Sequence, residues 1–227
     1  TMIFDEKKYL VKFPDSNRSP KLNVSYINNV YSEYIGSKIF EVLGIKVQKV
    51  KLGYYIQNNR KFYVCACEDF TTPNTKLIEF QKLENASLDS EGEKKDLSDI
   101  KHIIDLNTYN IDKNLFKKFF WDMFIADSLV GNFDRHNGNW GFLINESLRR
   151  IEIAPIYDCA SCLYPQLTDE RIAEIIDNDN EMEARVYIFP TSALKYNDKK
   201  INYFSWISGL ENEECNQALL RIFPRID

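Results

Sequence analysis

Gly131-Asn-Phe-Asp-Arg-His-Asn-Gly-Asn-Trp140, followed by Pro155-Ile-Tyr-Asp-Cys-Ala-Ser161, is the stretch whose reading decides the fold. Two runs rich in β-branched and aromatic residues, Trp140–Asn145 and Arg150–Ile156, flank the four-residue turn Glu146 to Arg149 and predict an antiparallel hairpin. In a hairpin the start of the first strand lies beside the end of the second, so Asn139 and Asp158 are expected at the same end. Asp134 sits in the Gly- and Asn-rich loop that enters the hairpin. A carboxylate and an amide oxygen are hard ligands suited to magnesium held against phosphates. A second carboxylate nearby can orient or deprotonate a hydroxyl. Asn, Asp and Gly are also ordinary turn and cap residues; it is their arrangement around one hairpin that points to a site.

Outward from this stretch, Asp112 to Val130 carries Leu115, Phe116, Phe119, Phe120, Met123 and Phe124 at helical spacing, which predicts a core helix supporting the loop. Toward the N-terminus, Lys8–Pro14 alternates like a half-buried strand ended by proline. A helix is expected from about Val30 to Leu43, with Gly44 as its stop signal. Phe62–Phe70 reads as a buried strand running into an acidic, aromatic exit. Residues 84 to 99 are polar and acidic and predict an exposed insertion or loop. Residues 169 to 184 are acidic and read as helical in their first part, and Ile201 to Gly209 with Glu211 to Ile222 suggest two more helices.

The strings Asp134-Arg-His-Asn-Gly-Asn139 and Pro155-Ile-Tyr-Asp-Cys-Ala-Ser161 resemble the catalytic and metal-binding loops of the HipA-like serine/threonine kinases, a branch of the protein-kinase-like superfamily. The resemblance implies an α+β, bilobal protein-kinase-like fold, with a small sheet-rich lobe over residues 1–70 and a mainly helical lobe over 71–227. It makes Asp134 the catalytic base and gives magnesium to Asn139 and Asp158. Lys12 would contact the α- and β-phosphates, and Glu33 would pair with it. Glu68 and Phe70 match the segment between the lobes that binds adenine. Arg135 and His136 complete the loop by shaping it, and His136 is grouped with Lys12, Glu33, Glu68 and Phe70 as the nucleotide-binding set. The implied activity is transfer of the γ-phosphoryl group of ATP, with magnesium, to serine or threonine of a protein substrate. An antitoxin-like regulator is a further implied partner.

One part of the expected machinery is missing from the sequence. No glycine lies among the residues ahead of Lys12, where a glycine-rich loop should cover the phosphates. Nor does any residue match the serine that HipA-like kinases autophosphorylate in that region. A nucleotide-binding pseudokinase therefore stands as an alternative. So does a phosphoinositide or other non-protein kinase, because Asp-Arg-His with a following Asn also resembles that group's catalytic loop.

Composition sets outer bounds. With 227 residues, 44% of them hydrophobic and 14% aromatic, the chain can bury a substantial core. A net charge of −5 and a pI near 5.3 argue against direct binding of nucleic acid or anionic lipid. There is no long apolar run and no basic-then-apolar leader, so no membrane association is expected and the cytoplasm is the predicted location. A specialised secretion route would leave no such trace. The five cysteines, including Cys65, Cys67 and the Cys159–Cys162 pair, are expected as reduced, buried thiols. His102 is expected on a helix surface.

Overall fold

The protein is described by a computed structural model over residues 1–14, 27–88, 96–106 and 111–226. In the small lobe β1 (Met2–Phe4) and β2 (Lys7–Lys12) form a hairpin, α1 (Asn29–Val42) follows, and β3 (Val50–Gln57) and β4 (Arg60–Glu68) form a second hairpin. Together the four strands make one antiparallel sheet in the order β1-β2-β4-β3. Alternation decides which side chains meet α1: Lys12 lies opposite Cys65 and Leu10 opposite Cys67, so the lysine shares a face with the two cysteines. That face is closed by Val30 and Tyr34 of α1 over Val50, Cys65 and Cys67.

Beyond β4 the chain crosses to β5 (Lys76–Glu79), α2 (Phe80–Leu88), α3 (Leu97–Leu106) and α4 (Lys113–Leu129). The β6 (Gly141–Asn145) and β7 (Arg150–Ile153) hairpin then pairs with β5, Phe142 facing Ile153 and Asn145 facing Arg150. After it come α5 (Asp169–Ile176), α6 (Asp179–Tyr187), the β8 (Thr191–Tyr196) and β9 (Lys199–Asn202) hairpin, α7 (Tyr203–Gly209), α8 (Glu213–Ile222) and a 3-10 turn, Phe223–Arg225.

The α4 helix is the large lobe's axis. Asp112 caps it, its carboxylate accepting from the amides of Asn114 and Leu115 at 2.9 and 3.0 Å, an arrangement that stabilises a helix by about 1 kcal/mol. Every residue from Phe119 to Asp127 is buried, so over that stretch the helix is enclosed on all sides rather than on one stripe. Leu115, counted above with the apolar face, is 53% exposed. Under the Asp134 loop, Trp140 stacks on Phe80 with ring centroids 4.1 Å apart, and Phe116, Phe119 and Phe120 close around it.

Three expectations need correction. The polar stretch 84–99 is not a single loop: α2 runs to Leu88 and α3 starts at Leu97, because Leu83, Leu97 and Ile100 are buried; residues 89–95 lie outside the described residues. Ile201 belongs to β9, and α7 begins only at Tyr203, where the Asn202 side chain caps it by accepting from the Ser205 amide. Residues 169–184 form two helices, with Asn178 capping the second. His102 is exposed on α3.

Candidate active site

The loop after α4 is built around a buried ion pair. Arg135, 3% exposed, reaches back to Asp127 at the end of α4, its Nε 3.0 Å from Oδ2. Burial works against the charge on Arg135, but the Asp127 carboxylate more than offsets it and holds the guanidinium well above its ordinary range. Asn132 joins the pair, donating to Asp127 Oδ1 at 2.8 Å and accepting from the Asp134 amide at 3.1 Å. The Asp134 carbonyl accepts from the amide of His136 at 2.8 Å and from Asn139 Nδ2 at 2.9 Å. These backbone ties fix the loop and leave the Asp134 side chain exposed.

The same guanidinium carries the second loop. Arg135 Nη1 donates to the carbonyl of Asn139 at 2.9 Å and to the carbonyl of Tyr157, and Nη2 approaches Cys159 Sγ at 3.6 Å. The Tyr157 hydroxyl returns across the gap to the Gly138 carbonyl at 3.0 Å. One arginine thus clamps the backbone at Asn139 and immediately before Asp158, at the hairpin end where the sequence places both. Asp158 itself has φ +59°, a left-handed conformation that turns the chain sharply after Tyr157. Behind it, Gly36 lets α1 pack close: a Cβ there would lie 3.0 Å from Cys159 Cβ and 3.3 Å from Cys162 Cβ.

That close approach delivers Glu33. Lys12 Nζ stands 2.7 Å from Glu33 Oε2 and 2.6 Å from Asp158 Oδ1. The Glu33 side chain is fully buried, and its second oxygen receives the Cys67 thiol at 3.9 Å. Burial pushes Lys12 down, yet Glu33 and then Asp158 more than offset this, so the ammonium is held above its ordinary value. Burial likewise pushes the Asp158 carboxyl up, and Lys12 outweighs it, leaving Asp158 below its ordinary value. Both groups are therefore charged across the neutral range.

In front of this triad opens a cavity of about 370 Å³ lined by Leu10, Lys12, Gln48, Phe70, Tyr157 and Asp158, among others. Phe70 and Tyr157 face each other with centroids 6.0 Å apart. Glu68 stands beside it with its backbone committed: its amide donates to the Lys49 carbonyl at 2.8 Å and its carbonyl accepts from Gln48 Nε2 at 2.9 Å. Its carboxylate pairs with Lys7 at 3.0 Å. His136 accepts from the Gly138 amide on Nδ1 at 3.0 Å, a contact internal to the loop. Among the described residues no three His, Cys, Asp or Glu side chains gather as a metal cluster. Asn139 and Asp158 each carry a side-chain oxygen at this end of the hairpin. The five cysteines are free, buried thiols.

Sequence reading passed over Gly36, Gln48 and Tyr157, and saw Arg135 only as a loop-shaping residue. A glycine in mid-helix, costly there by about 1 kcal/mol, was the available signal for the first.

The HipA-like C-terminal domain model matches residues 3–222. The chain belongs to the HipA-like family. Among curated proteins, this HipA-like chain is 46% identical over 230 residues to the serine/threonine-protein kinase CtkA of Helicobacter pylori, covering 100% of this chain and 69% of that protein. The crystal structure of the H. pylori proinflammatory kinase CtkA superposes with a TM-score of 0.88 at 44% identity, over 100% of this chain and 78% of the other. HipA from the Shewanella oneidensis toxin–antitoxin complex with HipB and operator DNA matches at TM-score 0.55 and 17% identity, over 96% of this chain and 50% of that one, and shares the fold. The HipA-like α+β kinase fold is therefore the fold of this chain. No helix among the described residues is long and apolar enough to cross a membrane.

Proposed function

We propose that this HipA-like chain is a protein serine/threonine kinase that uses ATP and magnesium, with its lobes dividing near residue 70. The observation that carries the reading is Lys12 held between Glu33 and Asp158 at 2.7 and 2.6 Å, at the mouth of the cavity. A lysine so placed presents fixed positive charge to phosphates, and Glu33 keeps it in place when Asp158 turns to other work. Leu10, Phe70 and Tyr157 offer apolar and aromatic surface suited to a purine. Asp158 and Asn139 would hold magnesium, which when bound supplies charge neutralisation at the phosphates. Asp134, exposed beside them, orients the acceptor hydroxyl and receives its proton. Positioning and electrostatics of this kind account for most of phosphoryl transfer. The kinship with CtkA supports a protein acceptor, and the reading extends to a protein regulator of the antitoxin kind.

The test is transfer from γ-labelled ATP with magnesium to a serine/threonine peptide library, with phosphoinositide vesicles as the competing acceptor class. Asp134→Asn is expected to lower peptide phosphorylation by on the order of 10²-fold or more while ATP binding persists. Transfer to lipid alone, or full activity in Asp134→Asn, refutes the assignment.

A further inference from the structure

The α1 helix carries Glu33, yet its far end is fastened by a residue from the other end of the chain. The last carbonyls of a helix have no partner within it, and Leu43, at the C-cap of α1, presents its carbonyl to Arg225 Nη1 at 2.6 Å. The cation also sits at the negative end of the helix dipole. Gly44 makes room for it: φ there is +69°, and a Cβ would lie 2.5 Å from the same Nη1. A Cβ at position 44 would force the guanidinium to shift.

Arg225 is firmly based. It ends the 3-10 turn that continues directly from α8. One turn earlier Arg221 binds the buried Asp122 of α4 at 2.8 and 3.0 Å. In its last turn α4 carries Asp127, which holds Arg135 and the loop bearing Asp134. Just past Gly44 the chain pairs with the strand leading to Asp158: Ile156 donates to the Lys46 carbonyl at 2.8 Å, and Gln48 donates to the Ile156 carbonyl at 2.7 Å. The end of α1 is thus located against the large lobe, on the frame that positions Asp134 and Asp158.

We propose that Arg225 is a positioning residue for the nucleotide site, acting as a latch on α1 that sets where Glu33 meets Lys12. This deepens the kinase reading above and rests on it. Ten residues separate Glu33 from Leu43, about 15 Å along a helix, so Arg225 touches neither the nucleotide nor Lys12. Its effect passes through the placement of the helix, and a displacement of about 1 Å at a site of this kind is costly.

The full chain is used for the test, with MgATP affinity measured by calorimetry and α1 followed by amide hydrogen exchange. Arg225→Ala is expected to weaken MgATP binding on the order of 10-fold, the worth of one charge-assisted hydrogen bond. It should also speed exchange in α1 but not in α4. Arg225→Lys, which still offers a donor to the Leu43 carbonyl, should recover most of both. In a Glu33→Gln background the Arg225→Ala loss should fall below about twofold, because the latch then has no carboxylate to place. An equal loss in both backgrounds marks general damage and overturns the proposal. Unchanged exchange in α1 overturns it whether or not nucleotide binds, whereas a parent chain that binds no MgATP overturns the kinase reading instead.

Discussion

Asp134 and Asp158 stand on loops fastened by a buried ion pair, whereas the β1–β2 hairpin across the cavity, held by its strand pairing with β4 and by Lys12, carries its other lysine pairs in water. On the first side, Arg135 and Asp127 are 3% and 2% exposed at their side chains, and the arginine also binds two backbone carbonyls. On the second, Lys7 meets Glu68 and Lys8 meets Asp69 with the lysines 49% and 62% exposed. The hairpin turns at Asp5 and Glu6, both at positive φ, where glycine or asparagine is the easier choice. The contrast teaches that the loops bearing the two acids are held by side chains shielded from water, while the Lys7 and Lys8 pairs on the hairpin are ones that solvent and salt weaken.

The sharpest way to break this contrast is Arg135→Ala. It strands Asp127 as an uncompensated buried carboxylate, which costs about 3–5 kcal/mol, a large share of the roughly 5–15 kcal/mol that holds a domain together. Chemical denaturation checks it, and a loss below about 1 kcal/mol would show that the pair is not what supports the loops.

Smaller, and specific in its pH dependence, is Asp158→Asn. The folded-state carboxyl of Asp158 lies below its ordinary value of 3.8 because Lys12 outweighs burial. A group depressed in this way contributes stability above its unfolded pKa and loses it as pH falls through the lower folded value. The stability difference between parent and Asp158→Asn should therefore hold steady from neutral pH to about pH 5 and shrink in stronger acid. Denaturation midpoints over that range decide the matter; a difference that widens with acid contradicts the Lys12 pairing.

Least of all should follow from Lys7→Ala. Its pair with Glu68 lies in solvent, so the denaturation midpoint is expected to match the parent within error, and increasingly so at high salt. A clear loss would mean the hairpin is held more like the loops below it.

How much of this was legible in the chain depends on range. The hairpin expected over Trp140–Asn145 and Arg150–Ile156 could be read because its signals are local, runs rich in β-branched and aromatic residues on either side of a short turn, although the second strand ends at Ile153. The pairing of Lys12 with Glu33, 21 positions away, could be anticipated only by resemblance, and the contact of Lys12 with Asp158, 146 positions away, was not anticipated at all. Arg135 as a clamp was illegible for a different reason. Two of its partners, at Asn139 and Tyr157, are backbone carbonyls, which carry no side-chain signature. The polar stretch 84–99 misled because composition was weighed over period: Leu83, Leu97 and Ile100 are few, but they bury two helices. The same imbalance hid β9, where Ile201 alone is buried among Lys199, Lys200 and Asn202.

Asp134 is exposed on a loop that is tied through its backbone amide and carbonyl and through the side chains of Asn132 and Asn139. The residue assigned the chemistry and the residues that maintain the architecture are therefore separable by single mutations. Exchange of Asp134 for asparagine would yield a chain that still folds and still presents its cavity, whereas exchange of Arg135 or Asp127 would remove the framework itself. Descendants of such a protein that have abandoned catalysis but kept their shape should be recognised by an altered residue at position 134 beside an intact pair at 127 and 135.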